Sequence, residues 1–169
     1  MKYLGLYLIG GADFKIDLTA AKRKYYGCFN TIMPVVGNQV NEIMAVHFVK
    51  SYCLPQLMYG CEIWPLNSVT IREIDVIWNN GFRCIFSCCW RESVKPLQFY
   101  CRTLPISYLI GERQLLFYRR LLCDNIVLRT LARLIRFETL GIAAKYDMYF
   151  STATVKNAVW SSFVNVFKC

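Results

Sequence analysis

The spacing of apolar positions changes character near residue 17. Residues 3–9 are aromatic, aliphatic and glycine, Tyr3-Leu4-Gly5-Leu6-Tyr7-Leu8-Ile9, and Gly10-Gly11 follows. Such a run ending in a glycine pair predicts a strand and a turn, with residues 12–16 returning as a second strand. A lone hairpin is marginal in water, so this one is expected to lean on the helices that follow or on a sheet outside the chain. Beyond it the period becomes helical. Leu18, Ala21, Tyr25, Phe29 and Ile32 form one stripe behind a cap at Asp17 or Thr19, and Pro34 and Gly37 are expected to end it. A second helix is predicted over residues 38–52, with Val40, Ile43, Met44 and His47 on one face, and Leu54-Pro55 as its break. A third is predicted over 69–89, with Ile71, Ile74, Ile77, Trp78, Phe82 and Ile85 inward. Further helices are expected over 106–123, after Pro105 at a favourable first-turn position, over 126–137 and over 149–167. The expectation is a mainly α fold, a helical bundle preceded by an N-terminal β-hairpin. Its segments are 1–16, 17–137 and a helical tail over 138–169.

Composition narrows the classes. Of the 169 residues, 56% are hydrophobic and 18% charged, so disorder is excluded as the main state, and one domain, or one domain with a small appendage, fits. Mean hydropathy is +0.31, yet no apolar run is long enough for a transmembrane helix. No charged, apolar and small-residue succession opens the chain, so no secretory signal is expected. Nine cysteines, an odd number without a CxxC pair, read as reduced thiols packed as small hydrophobes. Reduced thiols imply cytoplasm or nucleus. Cys84, Cys88 and Cys89 come closest to a metal cluster, but the single histidine, His47, leaves them without an imidazole partner.

Charge points outward to a polyanion. The chain carries 20 basic and 11 acidic residues, a net +9. Residues 72–136 hold 11 bases and 5 acids, +6 of that excess. Within 126–137, Val127, Leu131, Leu134 and Ile135 share one side of a helical projection and Arg129, Arg133 and Arg136 the other. That stripe is either a solvated face or a track for phosphates, since each guanidinium offers a fork to an oxygen pair. Lys22, Arg23 and Lys24 form a second cluster beside Tyr26, and Arg119 and Arg120 a third. A basic membrane-surface helix would concentrate the charge on one helix, and here it is spread, so no membrane partner is expected.

Chemistry finds no support. There is no P-loop, GxGxxG, HExxH or GxSxG. Two-metal phosphoryl transfer requires converging carboxylates. Asp13 and Asp17 straddle the expected turn and suit capping, whereas Glu73 and Asp75, two apart on a helix, point to different faces. His47 is expected as a core imidazole. No catalytic residue, metal or cofactor is assigned.

Lys2-Tyr3-Leu4-Gly5, the basic helix after it and Leu54-Pro55-Gln56-Leu57-Met58-Tyr59-Gly60-Cys61-Glu62-Ile63-Trp64 occur in an order that resembles the C-terminal part of a non-LTR, jockey-like retrotransposon reverse transcriptase. The likeness covers roughly residues 2–136. It implies a primer-grip-like hairpin, with Tyr3, Leu4 and Gly5 near the primer terminus, and a helical thumb resting on template–primer backbone. The family's catalytic aspartates precede the Tyr-Leu-Gly strand, and no Asp-Asp pair occurs in this chain. The resemblance therefore implies RNA or RNA–DNA duplex binding without the palm and without polymerase activity. The alternative is a domesticated or relic helical module that binds a protein through the face the palm would cover.

Overall fold

The computed structural model describes residues 2–3, 6–9, 15–36, 41–62, 67–124 and 155–168. The described fold is mainly helical. Strands β1 (Lys2–Tyr3), β2 (Leu6–Ile9) and β3 (Lys15–Asp17) form an antiparallel sheet in that order. Tyr3 pairs with Leu6 and Leu8 with Ile16. The run expected as one strand over 3–9 is thus two short strands that pair antiparallel with each other. The chain divides into two compact units, Met1–Ile106 and Ser107–Cys169. The expected boundary at 137 lies outside the described residues.

In the first unit, helix α1 (Thr19–Val36) starts where Asp17 Oδ1 accepts from the Thr19 backbone N–H at 2.8 Å. Leu18, Tyr25, Phe29 and Val36 are buried, the stripe the period requires. Pro34 stands inside the last turn, and the helix continues through it to Val36. A proline this close to the end removes one ladder bond only, so it does not stop the helix where expected.

Helix α2 (Glu42–Phe48), capped by Asn41 Oδ1 on the Ile43 N–H, runs into a π-turn (Val49–Cys53) and then α3 (Leu54–Leu57). Leu54-Pro55 is therefore not the expected break. Pro55 has no N–H to give and its ring crowds the carbonyl four residues back. The wider turn just before it, where the Leu54 N–H reaches Val49 O, relieves that crowding.

The face of α2 differs from the expected one. Ala45, Val46, Val49 and Cys53 are buried, whereas Ile43 and Met44 are 65% and 48% exposed and His47 is exposed. The imidazole is not a core group. The smaller side chains fit because α2 and the π-turn pack closely on α1, and α2 also meets α4.

Helix α4 (Ser68–Ile85), capped by Asn67 Oδ1 on the Thr70 N–H, buries Ile74, Ile77, Trp78, Phe82 and Ile85 as expected, whereas Ile71, also expected inward, is half-buried. Gly81 lies under Tyr25, where an added Cβ would collide with the tyrosine hydroxyl. The helix ends at Ile85, four residues short of the expected end. Ser87 takes a left-handed φ of 52° and the Cys88 N–H bonds back to Arg83 O at 3.0 Å. Helix α5 (Lys95–Tyr100) closes in the same way. Arg102 has φ 49°, and the Thr103 N–H reaches Gln98 O at 2.8 Å. Both stops use non-glycine residues.

In the second unit, helix α6 (Ile106–Asp124) continues beyond Ile106, and α7 (Val155–Lys168) closes the described chain. Phe163 is buried with its ring edge-on to Tyr108 and Trp160, at 5.5 and 5.7 Å. The helix expected over 126–137 lies outside the described residues.

Candidate nucleic-acid interface

Helix α1 carries three cations and no acid. The period that buries Tyr25 and Phe29 turns Arg23 to the opposite side and Lys24 to a flank, and both are exposed. Lys22 is different. Its Nζ pairs with Glu73 Oε2 of α4 at 2.8 Å, so its charge is already matched. Tyr26, next to them, is exposed and meets Tyr25 edge-on.

The remaining sites expected from sequence are distributed as follows. Arg120 is exposed on α6, and Arg119 lies in the same helix. Tyr3 belongs to β1, while Leu4, Gly5, Arg129, Arg133 and Arg136 lie outside the described residues. The structure adds cations that sequence clustering missed. Lys50, Arg72, Arg91, Lys95 and Arg102 are all exposed. They are scattered singly along the chain, so no run of basic residues announced them.

The carboxylates do other work. Asp17 is held below the usual carboxylate range, first by its hydrogen bonds to Thr19 and then by Arg23 and Lys22. Asp75, half-buried, accepts from Asn79 Nδ2 at 2.9 Å and from the Ile106 backbone N–H. Burial raises its pKa against the lowering effect of these bonds and of Lys95 and Arg83. Asn79 Oδ1 in turn accepts from the buried Gln98 Nε2 at 2.9 Å. The chain Gln98–Asn79–Asp75 ties α5 and the start of α6 to α4, and Trp78 Nε1 donating to Leu104 O at 3.3 Å adds a further tie. Each polar group there has a partner, which is what burial requires. Glu73 and Asp75 thus serve separate contacts.

Cys28, Cys53, Cys61, Cys84, Cys88, Cys89 and Cys101 form no disulfide, and not all of them are core residues. Cys53 and Cys61 are buried, Cys28, Cys88 and Cys101 half-buried, and Cys84 and Cys89 exposed. Burial, with a hydrogen bond to the Cys28 thiol, pushes the Cys53 thiol up to about 12, so it is a poor nucleophile. Among the described residues no group of three or more His, Cys, Asp or Glu is placed to hold a metal ion. Also among them, no helix is long and apolar enough to cross a membrane. Comparison of the chain with family models, curated proteins and solved structures gave no match.

Proposed function

We propose that this chain is a thumb-like fragment of a non-LTR retrotransposon reverse transcriptase that grips template–primer duplex, RNA or RNA–DNA hybrid, through its backbone. In this reading it lacks the palm and polymerises nothing. The observation that carries the reading is the pair of exposed cations, Arg23 and Lys24, on a helix without an acid. They stand in a chain of net charge +9 whose motif order resembles that family. Guanidinium and ammonium groups on an outward face bind phosphates irrespective of base sequence. Arg119, Arg120, Arg129, Arg133 and Arg136 extend the same role by their position in the sequence, and Tyr3, Leu4 and Gly5 take the primer-grip role by resemblance.

The test substitutes these cations in the full chain. Arg23→Ala with Lys24→Ala, and separately Arg129→Ala with Arg133→Ala, are expected to weaken binding to two RNA–DNA hybrids of unrelated sequence by the same factor. Fluorescence anisotropy of labelled hybrids measures it. Wild-type affinity in both double variants at low salt would contradict the reading.

A second reading has its own observation. Val35, Ile43, Met44 and Tyr52 are large apolar side chains exposed on α1, α2 and the π-turn. A domesticated or relic helical module would use exposed apolar side chains of this kind for a protein partner. Retained binding of the cation variants to hybrid, or no hybrid binding by the wild type, favours it.

A further inference from the structure

The loop that ends α4 presents a tryptophan and an arginine together. The Glu92 N–H bonds to Cys89 O at 3.1 Å, which closes a β-turn with Trp90 and Arg91 as its two central residues. Trp90 is 73% exposed, and the Arg91 guanidinium lies over its ring, 4.9 Å from the centroid. The turn is anchored on both sides. Ser87 in the left-handed region, with the Cys88 N–H on Arg83 O, fixes where the chain leaves α4. Arg83 then reaches back, one terminal nitrogen donating to Asn80 Oδ1 at 3.0 Å and the other to Glu92 O at 3.3 Å.

An indole exposed on an anchored turn presents a large, rigid apolar ring to a ligand without further ordering of the backbone. From this arrangement we infer that the Trp90–Arg91 turn is a stacking site for an unpaired nucleobase, an inference that rests on the duplex grip proposed above. Arg91 covers one face of the indole and the other face is open to a flat π-system. Every base offers one, so the contact selects for unpaired strand and not for sequence. Charge favours nucleic acid over a protein partner. Residues 83–102 hold four bases, Arg83, Arg91, Lys95 and Arg102, against one acid, Glu92. A duplex hides its base faces except at its ends, so the natural ligand is the single strand that continues from a duplex.

The test uses the full chain, a labelled oligouridylate and a fully paired RNA–DNA hybrid, read by fluorescence anisotropy. Trp90→Ala is expected to weaken oligouridylate binding about tenfold and to leave hybrid binding unchanged. Trp90→Phe should restore most of the affinity. Arg91→Ala should lower the salt slope of single-strand binding by about 0.7, the value for one phosphate contact. Tyr100→Ala removes an aromatic that is equally exposed, at 79%, but outside the turn, and should change neither affinity. If the wild type binds hybrid and Trp90→Ala binds oligouridylate as well as the wild type does, the stacking site is wrong and the duplex grip stands. Equal losses on both ligands, or binding of hybrid with none of oligouridylate, would overturn it in the same way. If the wild type binds neither ligand, the duplex grip itself fails and the stacking site with it.

Discussion

Tyr25 brings a hydroxyl into the contact between α1 and α4 and finds no hydrogen-bond partner for it among the described residues. The same oxygen occupies the space a side chain at Gly81 would need. The two positions are therefore coupled. Tyr25→Phe is expected to stabilise the fold by about 1 kcal/mol, since a buried unsatisfied hydroxyl costs about 1–3 kcal/mol. Gly81→Ala alone is expected to destabilise it by about 1–3 kcal/mol through overpacking. In the Tyr25→Phe background the same alanine meets only Phe29 and Tyr25 ring carbons at 3.6 and 3.7 Å, ordinary contacts. There it should gain stability, because alanine exceeds glycine in a helix by about 1 kcal/mol. Urea denaturation of the four proteins checks this, and additive effects would contradict it. At this scale the sequence was readable where a stripe is long. Tyr25 and Phe29 belong to a stripe that reaches Val36, and Trp78 and Phe82 to one from Ile74 to Ile85, so each leaves one solution. It misled at His47, because α2 is short and carries two apolar stripes. Size favours Ile43 and Met44 for the core, but close approach to α1 selects Ala45, Val46 and Val49.

Among the elements, the helical character of most described segments was legible, whereas α5, which starts at a Lys95-Pro96 pair that reads as a break, and the helix ends and cross-links were not. A proline marked residues 54–55 as a break, but the π-turn before it absorbs the strain and the helical path continues. The stop of α4 was missed because Ser87, not glycine, takes the left-handed position. The Gln98–Asn79–Asp75 chain joins residues up to 23 apart in number, and no periodicity reports such a link. It has a measurable consequence. Folding raises the Asp75 pKa above its ordinary value of 3.8, so the folded protein holds that proton more tightly than the unfolded chain. Its contribution to stability is thus most favourable in acid, and it declines as pH rises from 3.8 through the raised value. Asp17 acts in the opposite sense. Its lowered pKa adds stability above 3.8 that is lost as pH falls through the folded value. Asp75→Ala isolates the first effect. The variant should lose about 1–3 kcal/mol, as the Asn79 amide and Ile106 N–H lose their acceptor. The difference from wild type should be larger in acid than at neutral pH, as read from urea midpoints. A difference that shrinks on acidification would contradict the assignment.

For the molecule as a whole, charge is the property that reaches furthest. Composition shows the excess of nine positive charges directly, and the structure sorts it. Lys22 is matched by Glu73, and Arg83 is spent holding a turn. Arg23, Lys24, Lys50, Arg72, Arg91, Lys95, Arg102 and Arg120 face water. Which cations are free depends on tertiary partners, so the sequence alone assigned Lys22 and Arg23 the same role. Motif order supplied the family reading, because two short segments in register with a helical run between them are visible without a fold. Neither source reaches the affinity itself. The decisive measurement is the binding constant of the full chain for two RNA–DNA hybrids of unrelated sequence across a salt series. A backbone grip predicts straight, parallel lines of log affinity against log salt, falling by about 0.9 for each phosphate neutralised, with several phosphates engaged. A flat line, or affinity for one sequence alone, would contradict it.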